Sequence, residues 1–197
     1  KYPEASDQDK RIKHIDRVKN AVIGLTQILD DFLSIGKLEE GKVHLHLNEG
    51  DIVAEAQRVM QEIQPICKSG QHIVWEGPKE LFARTDFSLI RNILFNLLSN
   101  AIKFSPEGRP IRLCIQPLSD RFRILVVDEG IGISKEDREH LFERFFRAKN
   151  AFNIQGTGLG LHIVLKYLEL LQGQITIESE LNSGTTIQIE IPQQLKA

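Results

Sequence analysis

The sequence has 197 residues, a formal net charge of −2, and 41% hydrophobic and 26% charged residues. These values are typical of a globular protein with a substantial core, and they exclude the broad positive charge that nucleic-acid binding requires. The two cysteines, Cys67 and Cys114, are far apart, which excludes a CxxC zinc site or a disulfide framework and is typical of a reducing compartment. No apolar run approaches the ~18 residues of a membrane-spanning helix.

A long helix is predicted from Asp9 to about Ile35. Apolar residues recur there at alternating steps of three and four, namely Ile15, Val18, Val22, Leu25, Leu29 and Phe32. This is the a/d pattern of a helix that packs in a bundle, and a second set widens the stripe: Ile12, Ile23, Ile28 and Ile35. At 1.5 Å per residue the helix would be about 39 Å long. Gly36 and Gly41 are predicted to end it.

The next segment, VHLHLN, alternates apolar and polar residues and therefore predicts a strand. Val43, Leu45 and Leu47 would share one face, with His44 and His46 on the other. No carboxylate or cysteine nearby completes a metal site with the two histidines, so we interpret that face as exposed.

Helices and short strands alternate through the rest of the chain. Helices are predicted over 51–67, with Asp51 as N-cap, and over 86–105, with Asp86 as N-cap. The remaining predictions are strands over 71–77, 81–85, 174–180 and 184–192, a hairpin over 111–118 and 121–130, two short acidic helices over 134–146, and a helix ending at Leu171. Because hairpins join several strands, we expect the α+β class. The expected fold is a two-layer α/β sandwich with a mixed sheet and helices on one face, preceded by the long bundle-forming helix.

The helix predicted over 86–105 carries an unusual polar stripe. Its apolar face consists of Ile90, Ile93, Leu94, Leu97, Leu98 and Ile102. Asn92, Asn96, Asn100 and Lys103 follow one another at helical spacing and form a continuous row. Asparagine is a poor residue for the middle of a helix, because its amide competes with the backbone for hydrogen bonds. The row therefore indicates a polar groove for an oxygen-rich ligand.

Two glycine-containing segments are further site candidates. A buried strand ends in Asp128, and Gly130 and Gly132 follow, so a flat ligand could approach the backbone while the carboxylate accepts its hydrogen bonds. The loop QGTGLGL precedes a helix, and its spacing matches neither a P-loop nor a dinucleotide fingerprint. From its residues alone, this loop is either a turn or a place where a helix N-terminus meets an anion.

Four motifs occur in order, NLLSNAIKFS, DEGIGIS, LFERFFRA and GTGLGL, and SGTTIQIEIP follows them. This set resembles the N, G1, F and G2 boxes and the closing Gly-Thr strand of the ATP-binding domain of sensor histidine kinases, within the gyrase, Hsp90 and MutL ATPase superfamily. The resemblance covers about residues 43–193. The stretch ILDDFLSIGKLEEGKV resembles the second helix of the dimerisation and phosphoacceptor hairpin. It implies a partial hairpin over 1–40 and a catalytic ATP-binding domain over 41–197.

The resemblance also implies roles for individual residues in binding ATP and Mg²⁺. Asn100 would bind Mg²⁺ through its side-chain oxygen, and Asn96 and Lys103 would support the metal and the phosphates. Asp128 would accept a hydrogen bond from the adenine amino group, and Phe104 would lie against the ring. Backbone at Gly130 and Gly132 would admit the ring.

A mobile lid over about residues 146–157 is implied as well, anchored by Phe142 and Phe145. Arg147 would reach a phosphate from this lid. The residues that close over the triphosphate would be Gly156, Thr157, Gly158, Leu159 and Gly160. Thr185 belongs to the closing Gly-Thr strand beside the nucleotide.

The reaction class is indicated by Asn96. In the hydrolase branches of the superfamily, a Glu stands four residues before the Mg²⁺-binding Asn and activates water. An amide cannot act as a general base near neutral pH, so Asn96 favours phosphoryl transfer to a side chain over hydrolysis. An ATP hydrolase that drives a conformational clamp and a degenerate dimerisation module without nucleotide are the alternatives.

The phosphate acceptor of these kinases is a His followed directly by an acid, on the first helix of the hairpin. His14 is followed by Ile15, and Asp16, two positions on, does not face it on a helix. We therefore expect this chain to bind ATP without phosphorylating itself on His. We expect the acceptor upstream, because the chain opens without a Met and is interpreted as a piece of a longer protein.

The resemblance implies a homodimer through the helical bundle, a response-regulator receiver domain as partner, and no nucleic acid. This portion is expected in the cytoplasm, without a membrane segment of its own, and a membrane anchor of the parent protein would lie elsewhere.

Overall fold

The protein divides into two compact units, Lys1–Lys42 and Val43–Ala197, and each is described by itself. The computed structural model describes residues 8–40 and 43–195. The first unit contains helix α1 (Gln8–Glu39), which has 32 residues. Neither described range contains a helix that is both long and apolar enough to cross a membrane.

Helix α1 extends beyond its predicted end. It continues through Gly36 to Glu39, because one glycine inside a helix costs only about 1 kcal/mol and good helix formers follow it. Gly41, the other predicted break, lies outside the described residues. Every residue of the predicted a/d seam is more than half exposed: Ile15, Val18, Val22, Leu25, Leu29 and Phe32. An apolar stripe of this kind is the surface that a bundle partner covers.

The second unit alternates strands and helices. Its elements are β1 (Asn48–Asp51), α2 (Ile52–Ile63), β2 (Ile73–Glu76), β3 (Phe82–Thr85), α3 (Phe87–Phe104), β4 (Ile111–Pro117), β5 (Arg121–Asp128), α4 (Lys135–Arg138), α5 (Gly160–Leu170), β6 (Gln174–Glu180) and β7 (Gly184–Pro192). Two single 3-10 turns, Gln64–Ile66 and Lys149–Ala151, follow α2 and α4.

Within the described residues, five strands form one mixed sheet in the order β2-β4-β5-β7-β6. Strands β2 and β4 are parallel, and the other neighbours are antiparallel. Strands β1 and β3 form a separate antiparallel pair. The predicted mixed sheet is confirmed, and so is the hairpin that joins β4 to β5 across Ser119 and Asp120.

The helices form a layer on the sheet. Helix α3 contacts β4 and β5, and α5 contacts β6. The predicted apolar face of α3 is buried throughout: Ile90, Ile93, Leu94, Leu97, Leu98 and Ile102. Alternate residues of β5 are buried, namely Phe122, Ile124, Val126 and Asp128. Because side chains alternate between the two faces of a strand, Asp128 shares the face of this core.

Asp86 fixes the start of α3 and also explains a wrong strand prediction. Its Oδ1 accepts hydrogen bonds from the amides of Ser88 and Leu89 at 2.9 and 3.2 Å, as an N-cap does. Its Oδ2 accepts from the His46 amide at 2.8 Å. That amide is therefore not part of a strand ladder, and residues 43–47 form a loop before β1. Burial raises the pKa of Asp86, but the hydrogen bonds from Ser88, His46 and Leu89 outweigh it, so the pKa is lowered.

The segment 134–146 contains one short helix instead of the two predicted. Helix α4 ends at Arg138, and turns follow up to Phe145. Phe145 has a φ of +63°, which no right-handed helix contains, so the predicted second helix cannot run through it.

Candidate active site

The glycine-rich loop lies against the polar stripe of α3. Asn96 Nδ2 donates to the Asn92 carbonyl at 3.0 Å. A Cβ atom at Gly160 would lie 2.9 Å from Asn96 Oδ1 and 3.9 Å from Asn100 Nδ2. Because Asn96 Nδ2 is used within the helix, its Oδ1 is the atom that faces the loop. The structure thus brings together two segments that are about 60 residues apart in the sequence.

Lys103 meets the same loop one turn further along α3. A side chain at Gly156 would collide with Lys103 Nζ. The same Nζ lies 4.7 Å from the centre of the Phe104 ring, which is within the range of a cation–π contact. The groove, defined here as the face of α3 along Asn96, Asn100 and Lys103 that the loop covers, therefore has a cation at one end and amide groups at the other.

The loop joins the first turn of α5, whose start has no side-chain cap. Leu159 is buried, so this residue presents its backbone rather than its side chain to the groove. Thr157 Oγ1 accepts from the Leu159 amide at 3.2 Å. An uncapped helix N-terminus leaves backbone amides available to an anion.

Gly158 is required by the backbone that precedes the lid. It has a φ of +73°, and a Cβ there would lie 2.6 Å from the Phe145 carbonyl carbon and 2.7 Å from the Phe146 carbonyl oxygen. The side chain of Phe145 is 65% exposed. The backbone of Phe145 rather than its side chain therefore meets Gly158, and the role of Phe145 in anchoring the lid stays a prediction.

Asp128 ends β5 as a buried carboxylate. Its Oδ1 accepts from the Gly130 amide at 2.8 Å, and the Thr185 amide also donates to the carboxylate. Burial raises the pKa of Asp128 to about 6, although both hydrogen bonds act in the opposite direction. Thr185 Oγ1 in turn lies 2.9 Å from Ser179 Oγ, so the closing strand supports the acid.

Gly130 and Gly132 both have close neighbours where a side chain would be. A Cβ at Gly130 would lie 2.6 Å from Asp128 Oδ1 and 2.7 Å from the Phe104 carbonyl oxygen. Gly132 has a φ of +63°, and a side chain there would collide with the Glu180 carbonyl. Chain packing alone therefore requires Gly132, and its role towards an adenine ring stays a prediction.

The lid segment is held by its own side chains. Arg147 Nη2 lies 3.0, 2.8 and 2.6 Å from the carbonyl oxygens of Ala151, Phe152 and Ile154. Asn150 Nδ2 donates to the Gly132 carbonyl at 2.8 Å and so joins the lid to the loop after β5. In this structure, the Arg147 guanidinium binds the lid backbone rather than the α3 groove.

A family model described as "Histidine kinase-, DNA gyrase B-, and HSP90-like ATPase" matches residues 85–195, which is more than half of the chain. The chain belongs to this ATPase family. The match contains α3, the acid of β5 and the glycine-rich loop, so every candidate site residue from Asn96 to Thr185 lies within it. ATP is the ligand that membership of this ATPase family implies.

Curated relatives of this ATPase domain are sensor kinases. The chain is 34% identical over 197 residues to the autoinducer 2 sensor kinase/phosphatase LuxQ of Vibrio cholerae, covering 95% of this chain and 23% of LuxQ. It is 29% identical over 188 residues to the histidine protein kinase DivJ of Caulobacter vibrioides, covering 93% of this chain and 31% of DivJ. The chain thus spans less than a third of the length of these two relatives.

Solved structures agree with the sequence relatives. ShkA in complex with AMPPNP is 26% identical, with a TM-score of 0.78 over 95% of this chain and 40% of ShkA. The catalytic domain of the histidine kinase ThkA, without nucleotide, is 25% identical, with a TM-score of 0.64 over 77% of this chain and 99% of that domain. The resemblance to a sensor histidine kinase catalytic domain is confirmed, and so is the expected catalytic ATP-binding part of a two-component kinase.

The groove of this histidine-kinase-like domain has groups that suit a metal-bound nucleotide. Mg²⁺ prefers oxygen ligands such as the side-chain amide oxygens of Asn96 and Asn100. Lys103 and the uncapped start of α5 suit phosphate oxygens. At Gly156 and Gly160 the backbone of the loop lies so close to Lys103 and Asn96 that a side chain at either position would collide with them. The residues present therefore fit Mg²⁺ and ATP.

An open cavity of about 490 Å³ borders Asp128 at the end of β5, and its lining includes Arg112, Arg138 and Glu178. No residue of α3 lines it, so this cavity is distinct from the groove that contains the polar stripe. The groove has the amide groups, the cation and the glycine backbone, and we therefore assign the candidate nucleotide site to the groove.

Sequence reasoning missed two residues that connect the site segments, Asn150 and His162. His162 Nδ1 lies 2.8 Å from the Phe142 carbonyl oxygen and must donate to it. Its Nε2 then accepts from Arg144 Nε at 3.3 Å. His162 thus ties the first turn of α5 to the segment before the lid. Neither residue belongs to a recognisable sequence pattern, because each acts on a backbone carbonyl about 20 residues away.

Proposed function

We propose that this chain supplies the ATP-binding half of a protein-histidine kinase. It would donate the γ-phosphoryl group of ATP to a His on a dimerisation helix, for relay to the Asp of a response-regulator receiver domain. The observation that carries the proposal is the contact between the polar stripe of α3 and the glycine-rich loop, at Gly160 with Asn96 and at Gly156 with Lys103. The confirmed relationship to sensor histidine kinases supports it.

Each group in the groove has a defined task in this proposal. Asn100 is the Mg²⁺ ligand, with Asn96 beside it, and Lys103 neutralises phosphate charge. When bound, Mg²⁺ would offset the charge that the triphosphate oxygens carry during transfer. Asp128 accepts from the adenine amino group, and the backbone around 156–160 encloses the phosphates. The enzyme then acts mainly by orienting the γ-phosphoryl group towards the incoming His.

Asn96 favours transfer to a side chain over hydrolysis. Its Nδ2 donates a hydrogen bond to the Asn92 carbonyl oxygen, which leaves Oδ1 as the atom near the phosphate side of the groove. An amide oxygen accepts hydrogen bonds but does not take up a proton near neutral pH, so water at this position is not activated by a general base. Nucleotide bound here is therefore held until an acceptor arrives.

The exposed apolar seam of α1 supports the dimer in this proposal. Its members are more than half exposed, which is the state expected of an a/d stripe without its bundle partner. We propose that a second copy of the chain covers this seam within a helical bundle, and that residues 1–40 are part of the dimerisation hairpin. His14 is exposed, and the side chain of Asp16 lies outside the described residues; the spacing of these two residues in the sequence disfavours His14 as the acceptor. The cytoplasmic location, the membrane anchor of the parent and the receiver-domain partner stay predictions.

One experiment separates the kinase from the alternative functions. The chain is incubated with Mg²⁺ and γ-labelled ATP, alone and with a histidine-bearing dimerisation hairpin of the same family, while binding, free phosphate and protein-bound phosphate are measured. The kinase predicts ATP binding, little free phosphate, and acid-labile, base-stable label on the hairpin. Rapid phosphate release without label on the hairpin would support a hydrolase, and a lack of ATP binding would support a nucleotide-free module.

A further inference from the structure

The C-terminal end of α3 is where this helix enters the candidate site, because Lys103 and Phe104 are its last residues. The Ser105 amide donates to the Ala101 carbonyl at 3.1 Å, and this is the last hydrogen bond of the helix pattern there. The carbonyls that follow have no partner inside the helix, and leaving a buried carbonyl unpaired is costly. Donors from elsewhere in the fold must therefore reach them.

Lys68, in the loop between α2 and β2, supplies one of these donors. Its Nζ lies 2.7 Å from the Lys103 carbonyl oxygen and 2.5 Å from the Ser105 carbonyl oxygen. An ammonium group at a helix C-terminus also interacts favourably with the helix dipole. These two carbonyls belong to the residues directly before and after Phe104. Lys68 therefore fixes the backbone on both sides of Phe104, the residue proposed to lie against the adenine ring.

Gln71 supplies the second donor from a buried position. It is 5% exposed, and its Nε2 lies within hydrogen-bond distance of three carbonyl oxygens, those of Ile102 at 3.3 Å, Ser105 at 3.2 Å and Pro106 at 2.9 Å. Its Oε1 accepts from the Lys68 amide at 2.8 Å, so the loop itself is closed by the same side chain. The two donors therefore form one rigid cap.

The opposite side of the turn is fixed by the loop after Asp128. The Ile131 amide donates to the Phe104 carbonyl at 3.2 Å. Gly130 lies so close to the same carbonyl that a Cβ there would be 2.7 Å from its oxygen. The last turn of α3 is thus held between the cap and the backbone beside the acid, and its position sets the distance between Phe104 and Asp128.

We propose that Lys68 and Gln71 are positioning residues of the nucleotide site. They fix the last turn of α3, so that Lys103 projects towards the phosphates and Phe104 towards the base. The inference rests on the proposed function, because it gives these two residues a role only if the groove binds a nucleotide. A cap that served folding alone would stabilise the protein without changing how the folded protein binds ATP.

The test uses matched lysine variants of the whole chain. Lys68→Met removes the ammonium group, Lys68→Arg restores a donor, and Lys166→Met removes a lysine from the exposed pair with Glu169 on α5 as a control. ATP affinity with Mg²⁺ is measured by calorimetry well below the unfolding temperature of each variant, which is measured separately. We expect Lys68→Met to weaken ATP about fivefold or more, since hydrogen bonds from a charged group are lost at the wall of the site. We expect Lys68→Arg and Lys166→Met to stay within about twofold of the wild type.

Two outcomes would overturn the inference. If Lys68→Met lowers the unfolding temperature but binds ATP as the wild type does, the cap serves folding alone and the inference is overturned. If the wild-type chain itself does not bind ATP, the proposed function fails and the inference fails with it. Gln71→Met repeats the comparison at the other donor, and it keeps the test decisive if Lys68→Met does not fold.

Discussion

Arg147 Nη2 lies 2.6 Å from the carbonyl oxygen of Ile154, seven residues further along the lid. The guanidinium thus closes a ring of backbone around 147–154, and its hydrogen bonds to Ala151 and Phe152 lie inside that ring. Because these three bonds use Nη2, a phosphate role for Arg147, as predicted from the sequence, would fall to the other guanidinium nitrogens or would require Nη2 to leave these carbonyls.

The first prediction follows for the dynamics of the lid. Arg147→Ala should raise amide hydrogen exchange over 148–154 in the nucleotide-free protein, because three backbone carbonyls lose their donor. Lys149→Ala, which removes a cation from the same segment, should leave exchange nearly unchanged. In the wild type, ATP and Mg²⁺ should slow exchange across 146–157. Equal exchange in wild type and Arg147→Ala would show that the ring of hydrogen bonds does not order the lid.

A second prediction concerns the metal. Asn100→Asp should abolish the gain in ATP affinity that Mg²⁺ provides, because the added charge changes the coordination and repels the phosphates. Asn92→Asp makes the same change two turns earlier on α3, at an exposed position, and should leave the Mg²⁺ effect intact. ATP binding is measured by calorimetry with Mg²⁺ and with a chelator. Wild-type behaviour of Asn100→Asp would remove Asn100 as the metal ligand.

A third prediction concerns base recognition by Asp128. Asp128→Asn should weaken ATP by about 1.5–3 kcal/mol, the value of a hydrogen bond to a charged group. It should also reduce the preference for ATP over GTP, because guanine presents a carbonyl where adenine presents an amino group. Competition between the two nucleotides measures both effects. An unchanged ratio would count against Asp128 as the residue that reads the base.

The raised pKa of Asp128 predicts a dependence of stability on pH. The folded value of about 6 lies above that of an unfolded Asp, so the unfolded chain loses this proton first as the pH rises. Ionisation then favours the unfolded state, and stability decreases between about pH 4 and about pH 6 and levels off above. Against Asp128→Asn, the wild type should lose up to about 3 kcal/mol across this interval, since each pH unit between the two values corresponds to about 1.4 kcal/mol. Denaturant unfolding of both proteins at several pH values tests this, and a constant difference would contradict it.

Periodicity predicted most of the fold because it reports which side of an element is buried. The apolar face of α3 and the alternation in β5 both appear in the structure as predicted. The same signal failed at residues 43–47, where Val43, Leu45 and Leu47 are half-buried and the two histidines are exposed, as in a strand. Burial alternates there, but the His46 amide is bonded to Asp86, so no strand ladder forms. A burial pattern carries no information about the hydrogen-bond partner.

The candidate site was predictable where chemistry follows from residue type in a local pattern, as with the row of asparagines and the acid after a buried strand. It was not predictable where a long side chain reaches a distant backbone group. Lys68 and Gln71 act on carbonyls about 35 residues away, and no local pattern distinguishes them from ordinary loop residues. Similarly, the left-handed backbone conformation of Phe145 depends on the residues around it in the fold, and no local sequence pattern predicts it.

The pairing of β5 with β7 has a consequence for how the sequence can vary. Asp128 lies opposite Thr185, and Val127 lies opposite Thr186. Because successive side chains point to opposite faces, inserting one residue into β5 before the acid would turn the carboxylate away from the helix layer and place an apolar side chain where the base is expected. Exchanges among Val, Ile and Leu along this strand should therefore be tolerated, whereas a change of its length by a single residue should abolish nucleotide recognition.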